Sequence, residues 1–205
     1  MKILFITDNF PPEGNAPAAR TYEHCLEWLK LGAEVTVITC VPNFPQGKVY
    51  EGYKNKIWQT ENVDGIKVVR VWSYMYANQG FLRRTFDFLS FAMMAFLIGI
   101  FKKTDVIIAT SPQFFTTLSA YGLSILKRKP WVFEVRDIWP ESIKSVGVMR
   151  ESKLIRFFER LELFLYKKAD AIIPVTPAFK SSLGVRGVDL QKMTVIPNGC
   201  NTNLF

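Results

Sequence analysis

The 205-residue sequence has few of the residues that build disulfide frameworks or metal centres. Its three cysteines, Cys25, Cys40 and Cys200, are odd in number, far apart and in no CxxC pair. The single histidine, His24, has no ligand cluster at metal-binding spacing. We therefore expect neither a disulfide framework nor a metal site, and a reducing cytoplasm is the simplest compartment.

Three further sequence features are missing. There is no GxGxxG, which argues against the dinucleotide-binding fingerprint. The longest apolar segment, residues 81–103, is interrupted by Asp87 and Ser90 and falls short of the ~20 apolar residues that a spanning helix needs. The first apolar run is only strand-length and is followed by Asp8 and Pro11, whereas a secretory signal needs a longer one.

What the chain does contain is core-forming and basic. Apolar residues make up 49% and aromatic residues 14%, enough for a core covered on both faces. The net charge of +8 favours partners with phosphate groups or an anionic membrane surface. Charge alone does not choose between nucleic acid, lipid and nucleotide-sugar. The length fits one large domain, at roughly 100–200 residues per domain.

Alternating apolar patterns predict an α/β fold, a Rossmann-like doubly wound parallel sheet of about seven strands that spans residues 1–205. The residues from 41 to 64 are expected to form a long loop. The predicted strands are 3–7, 34–39, 66–71, 106–110, 131–135, 171–176 and 194–196, and the predicted helices are 18–31, 81–103, 115–126, 152–168 (with Ser152 as N-cap) and a short one near Ala178.

The turn after the first strand predicts an anion site. Gly14 and Asn15 would let backbone N–H groups approach a pyrophosphate, and Pro17 can begin the following helix. Arg20 would lie about one turn inside that helix. The alternative is an ordinary tight turn with Arg20 on a solvated face.

Charged residues leave the fifth predicted strand at its carboxyl end. Arg136, Asp137 and Glu141 are costly to bury there and are expected to face a cleft. Arg136 could offset phosphate charge, and Asp137 could orient or deprotonate a hydroxyl. The alternative is an Arg–Asp pair that caps the next segment.

Other polar residues end strands at the same predicted edge. Each alone is ordinary strand-to-loop punctuation, but their convergence favours a ligand site. These residues are Ser111 (before Pro112), Thr176, Asn198 and Gly199.

Residues 81–101 form a very apolar helical segment with basic residues at both ends. Such a helix could dock on anionic lipid headgroups or pack against the sheet, and the two can coexist. The last predicted strand runs into Pro197-Asn198-Gly199 close to the end of the chain. This predicts a domain taken from a longer protein, with a partner domain following it.

Several segments together resemble one family. The opening KILFITDNFPPEGNAPAAR, the SP after the fourth strand, FEVRDIWPES and the closing VIPNG are similar to the N-terminal domain of family-four retaining glycosyltransferases with the GT-B fold. The nearest subgroup is the WbuB-like transferases of amino-deoxyhexoses such as N-acetyl-fucosamine, which act in O-antigen or capsule assembly.

The resemblance implies an acceptor-binding half of a two-domain enzyme, with a separate C-terminal domain that binds the nucleotide-sugar. Gly14 and Asn15 would approach donor phosphates and acceptor, and VIPNG would match the interdomain hinge. Many relatives carry a His-Asp pair where this chain has Arg136-Asp137. Only Asp137 matches, so a histidine-based role is in doubt.

The expected function is transfer of a sugar, with retention, from a UDP-sugar to a lipid-linked saccharide at the inner leaflet, without a metal or nucleic acid. The protein would be cytoplasmic and peripheral to the inner membrane, and the isolated domain inactive. Two alternatives stay open, a nucleotide-sugar epimerase of GT-B-like fold and a non-catalytic anion-binding module.

Overall fold

The computed structural model describes residues 1–75, 81–111, 113–138 and 153–199, with backbone alone for residues 81, 82, 153 and 154. The predictions on Pro112, Glu141, Ser152 and Cys200 lie outside these residues. The strands are β1 (Lys2–Ile6), β2 (Glu34–Cys40), β3 (Trp58–Val63), β4 (Ile66–Val71), β5 (Val106–Thr110), β6 (Trp131–Val135) and β7 (Ala171–Pro174). The helices are α1 (Ala16–Lys30), α2 (Phe81–Ile100), α3 (Phe115–Lys127), α4 (Lys153–Lys168) and α5 (Pro177–Val185), followed by a 3₁₀ turn (Leu190–Lys192).

The strands form one seven-stranded sheet in the order β3-β4-β2-β1-β5-β6-β7. Every pairing is parallel except that of β3 with β4. The prediction of an α/β, doubly wound and mainly parallel sheet is therefore confirmed. The strand order reverses between β1 and β5, so their carboxyl ends open a crevice at a topological switch point.

Alternating side chains of β1 supply both faces of the core. Ile3 and Phe5 pack with α1, whereas Leu4 and Ile6 pack with the cluster that includes residues of α2, α3 and α4. All four side chains are buried. Because both faces are covered, β1 reads as the continuous apolar run seen in the sequence.

Two predictions about strands are wrong. The segment from 41 to 64 is not all loop, because β3 pairs antiparallel with β4 through a turn at Asp64-Gly65. Both turn residues have positive φ, 51° and 89°, as tight hairpin turns require. Residues 194–196 are not a strand of the sheet: Met193 forms an isolated bridge with Ile172, and two further backbone bonds from Thr194 and Ile196 follow β7.

Helix α2 packs against the sheet through one side and leaves the other open. Phe91 and Ala95 are buried in the core, and Gly99 lies against Leu123 of α3. Predicted packing against the sheet is confirmed. Among the described helices, none combines the length and the apolarity that crossing a bilayer needs.

Candidate functional site

A cleft of about 180 Å³ opens at the switch point, where the loop after β1 approaches α2 and the segment after β5. Polar and charged side chains contribute much of its wall. Those used below are Asp8, Glu13, Asn15, Arg84, Asp87 and Gln113.

The turn before α1 is held by its own side chains. Asn15 Oδ1 accepts from the Ala18 N–H (2.8 Å), and Asn15 Nδ2 donates to Asn9 Oδ1 (2.7 Å). Asn15 is thus the N-cap of α1, which places the positive helix end at the cleft. Gly14 is exposed, and a Cβ built on it would meet nothing within 4 Å. Its backbone is therefore open to an approaching ligand.

Arg20 is a buried clamp. Its Nε donates to Glu134 Oε1 (2.8 Å), and its Nη atoms donate to Asn198 Oδ1 (2.9 Å) and to the carbonyls of Ile196 and Pro197 (3.1 and 3.0 Å). The alternative with Arg20 on a solvated face is wrong, because these bonds tie α1 to β6 and to residues 196–198. Its predicted contact with the donor stays a prediction.

Ser111 fixes the loop after β6. Its Oγ accepts from the N–H groups of Arg136 (2.8 Å) and Asp137 (3.1 Å), and donates to the Asp137 carbonyl (3.3 Å). Ser111 itself is buried. The Ser111 hydroxyl thus links the carboxyl ends of β5 and β6 and holds the backbone of Arg136 and Asp137 in place.

Arg136 is half-buried, and its Nε and Nη1 have no hydrogen-bond partner in the part of the chain that the structure describes. Burial lowers the pKa of its guanidinium, while the charges of Glu134 and Asp8 raise it. No Arg136–Asp137 ion pair occurs between these two described residues, contrary to the capping-pair alternative. A guanidinium with unsatisfied N–H groups can bind an anion.

The remaining predicted site residues lie farther along the same edge. Thr176 is the N-cap of α5 and accepts from the Phe179 N–H (3.1 Å). Asn198 is bonded to Arg20, and Gly199 is exposed with no atom within 4 Å of a built Cβ. Contact of these residues with a ligand stays a prediction, as does any role for Asp137, which is half-buried beside Arg136.

Asp8 and Asp87 belong to the cleft and were not among the predicted site residues. Burial and the charge of Asp8 raise the pKa of Asp87 to about 7, and burial also raises the pKa of Asp8. The positive charge of the Arg84 guanidinium acts in the opposite direction on both pKa values, but its effect is smaller than that of burial. One signal was available in the sequence: Asp87 is the acidic residue of a largely apolar helix.

Neither the acidic side chains nor His24 forms a recognisable metal site in the described residues. Within residues 1–75, 81–111, 113–138 and 153–199, no three His, Cys, Asp or Glu side chains are grouped to hold a metal ion. His24 Nδ1 lies 3.7 Å from Glu134 Oε1, and burial lowers the pKa of the imidazole. Whether the reaction needs a metal stays a prediction.

Sequence comparison identifies a family and a relative. Residues 15–199 match the model of the glycosyl transferase 4-like domain. The chain is 27% identical over 209 residues to a protein of Escherichia coli (strain K12) named as the colanic acid biosynthesis glycosyl transferase WcaI. That match covers 97% of this chain and 50% of the relative.

Solved structures share the fold. Sucrose-phosphate synthase from Thermosynechococcus elongatus matches with a TM-score of 0.65 at 14% identity, over 100% of this chain and 49% of that one. HepE of Anabaena, solved with UDP and glucose, matches with a TM-score of 0.52 at 19% identity, over 100% and 46%. The chain thus spans about half the length of these three relatives.

Proposed function

The chain belongs to the glycosyl transferase 4-like family, and on that premise we propose that it is the acceptor-side domain of a nucleotide-sugar-dependent transferase. Its product would be a cell-surface polysaccharide precursor. The relative WcaI, named for colanic acid biosynthesis, supports that setting, and the complex of HepE with UDP and glucose supports a UDP-sugar donor.

The observation that carries this proposal is Arg136 at the sheet's carboxyl edge, whose Nε and Nη1 have no hydrogen-bond partner among the described residues. Its guanidinium, the N-terminus of α1 and the open backbone at Gly14 supply positive charge and hydrogen-bond donors on the same side of the sheet. Such fixed groups can stabilise the negative charge that develops on a departing diphosphate. A residue of this kind is otherwise costly to keep half-buried without a partner.

In the proposed reaction the bond between the sugar's anomeric carbon and the diphosphate breaks, and a new bond forms to an acceptor oxygen with retention. Arg136 offsets charge on the leaving group. The departing phosphate takes the acceptor proton, so the chain needs no strong base, and Asp137 holds a sugar hydroxyl. A metal is not required in this scheme, because the guanidinium and helix end supply the charge.

The finer assignments are part of the same proposal. A C-terminal domain would bind the nucleotide and complete the cleft, consistent with relatives of about twice this length. The acceptor would be a lipid-linked saccharide at the inner leaflet of the membrane, with α2 against the bilayer. The WbuB-like amino-deoxyhexose specificity rests on the sequence resemblance.

Transfer assays on the complete protein test the proposal. Arg136→Met and Asp137→Asn should each lower kcat/KM roughly 10- to 100-fold, because each removes one charge-assisted contact. Glu34→Gln is the matched control. Glu34 is exposed at the amino-terminal end of β2, away from the cleft, where it pairs with Lys2.

Thermal unfolding must show that the variants are folded. Unchanged kcat/KM in both would remove these residues from the reaction. Turnover of the nucleotide-sugar without any acceptor would instead favour the epimerase, and tight anion binding without turnover would favour a binding module.

A further inference from the structure

We propose that the cleft at the switch point is a subsite for one uncharged pyranose ring of the acceptor, and that it discriminates against anionic sugars. This inference rests on the proposed function. The residues that carry it, Asp8, Glu13, Asp87 and Gln113, come from the loop after β1, from α2 and from the segment after β5.

Two buried oxygen atoms of the cleft residues lack partners. Glu13 and Gln113 are 5% and 2% exposed, and both line the cleft. Glu13 Oε1 accepts hydrogen bonds from the N–H groups of Asn43 and Phe44 (2.8 and 2.9 Å), but Glu13 Oε2 and Gln113 Oε1 accept none from the described residues. Leaving such groups buried and unpaired costs about 1–3 kcal/mol each, so a ligand that donates hydrogen bonds is indicated.

Asp8 and Asp87 add further acceptor oxygens to the same cleft. Arg84 is the cation that lines the cleft with them, while Arg136 acts on Asp8 from outside it. Arg70, near Glu13, is already committed to Glu61 and to the Cys40 carbonyl. When Asp8, Glu13 and Asp87 are ionised, carboxylates outnumber the cationic side chains among the described cleft residues, and their like charge opposes binding of another carboxylate.

The apolar part of the wall suits the C–H face of a sugar. Phe44 and Phe88 line the cleft, and Arg84 lies over the Phe88 ring with 5.2 Å between the guanidinium carbon and the ring centroid. The cavity, about 180 Å³, is smaller than the ~300–1,000 Å³ typical of drug-sized ligands. One ring with several hydroxyl donors matches this combination of size, aromatic side chains and unpaired acceptor oxygens.

An NMR titration of the 205-residue chain tests the subsite with two probes, methyl galactopyranoside and its uronic-acid counterpart, methyl galacturonoside. We expect the neutral probe to shift the amide resonances of Asn9, Phe88 and Gln113 and to bind at least about tenfold more tightly than the anionic one. Asp87→Asn should reduce the ratio of the two probes' affinities severalfold. Gln113→Leu should weaken binding of the neutral probe about fivefold.

Glu34→Gln is the control and should leave both affinities unchanged. Equal binding of the two probes, shifts confined to other surfaces, or no binding of the neutral probe would each overturn the subsite. The two proposals can fail separately. If the chain binds the neutral probe selectively but the complete protein transfers no sugar, the transferase is rejected. If the complete protein transfers sugar but the chain binds both probes equally, the subsite is rejected.

Discussion

Arg20 and Arg136 lie near the same sheet edge, but their hydrogen-bond partners differ completely. Every guanidinium nitrogen of Arg20 donates within the chain, whereas Nε and Nη1 of Arg136 donate to none of the described residues. Removal of Arg20 would leave the buried Glu134 carboxylate without its main partner, whereas removal of Arg136 would eliminate buried donors that are already unpaired, so the two substitutions should differ in their effect on stability.

Arg20→Met should lower the free energy of unfolding by about 3–5 kcal/mol, because it leaves the buried Glu134 carboxylate without its main partner. Arg136→Met should leave that free energy unchanged or slightly higher. Urea unfolding of both variants measures the difference. Equal losses in the two would contradict the clamp role of Arg20, and adding Glu134→Gln to Arg20→Met should recover part of the loss.

Asp87 makes stability depend on pH. Its pKa is about 7 in the fold and 3.8 as an ordinary carboxyl, so the folded state binds the proton more tightly. The associated stability is complete below pH 3.8 and is lost as pH rises through 7. Asp87→Asn should therefore raise the free energy of unfolding at pH 8 by about 1–3 kcal/mol and much less at pH 4.

Urea unfolding at both pH values measures this effect, with Glu34→Gln as the control that should show no such gain. A greater gain in the free energy of unfolding at pH 4 than at pH 8 would contradict the raised pKa of Asp87. A stabilising substitution at this position would be consistent with a residue retained for binding and not for folding.

At the scale of elements, α2 has an apolar outer side in addition to its buried one. Its exposed large side chains recur every three or four residues, as expected for one stripe along a helix. They are Phe86, Leu89, Met93 and Leu97, with Phe101 just beyond the helix. Arg83 and Lys103 are exposed near the two ends. This combination fits docking on anionic headgroups, the membrane contact proposed above.

A vesicle co-sedimentation assay tests that docking. We expect the chain to bind phosphatidylglycerol-containing vesicles, and Met93→Glu with Leu97→Glu to lose most of the binding. Leu31→Glu with Val185→Glu is the charge-matched control, because both residues are exposed outside α2. Absence of binding by the unmodified chain, or equal loss in the two double variants, would contradict the docking.

The misassigned strands show where sequence patterns are weak. β3 reads WQTENV and alternates between exposed and half-buried residues, so it has no apolar run to identify it. Its signal was the Asp64-Gly65 pair, a hairpin-turn signature. Residues 194–196 have the apolar pattern of a strand, but hydrogen-bond geometry limits them to two bonds and a bridge beside β7.

At the scale of the whole molecule, the reversal of strand order places the cleft. β1 leads to β2 on one side, and the chain later returns to place β5 on the other, so the two loops diverge and leave a crevice. In the proposed enzyme this crevice faces a second domain. The donor would then be held from both sides.

The 205 residues alone should therefore show no measurable sugar transfer, because half a cleft neither excludes water nor holds the donor. The complete protein, assayed with the same UDP-sugar and acceptor, should transfer. A radiolabelled-sugar assay compares the two at equal concentration. Comparable turnover by the 205-residue chain would show that the second domain is dispensable and would reject the two-domain scheme.

The sequence by itself determined the layered fold, because buried parallel strands and amphipathic helices leave a periodic apolar pattern that is readable without coordinates. It also indicated the edge to which Gly14, Asn15, Ser111 and Arg136 belong. Only the tertiary structure decided which polar groups have partners. Arg20 donates all its guanidinium hydrogen bonds to Glu134 and residues 196–198, whereas Asp8, Asp87 and Gln113 line one cleft. The bond between Arg20 and Glu134 joins residues more than 100 positions apart, and no local sequence pattern encodes such a contact.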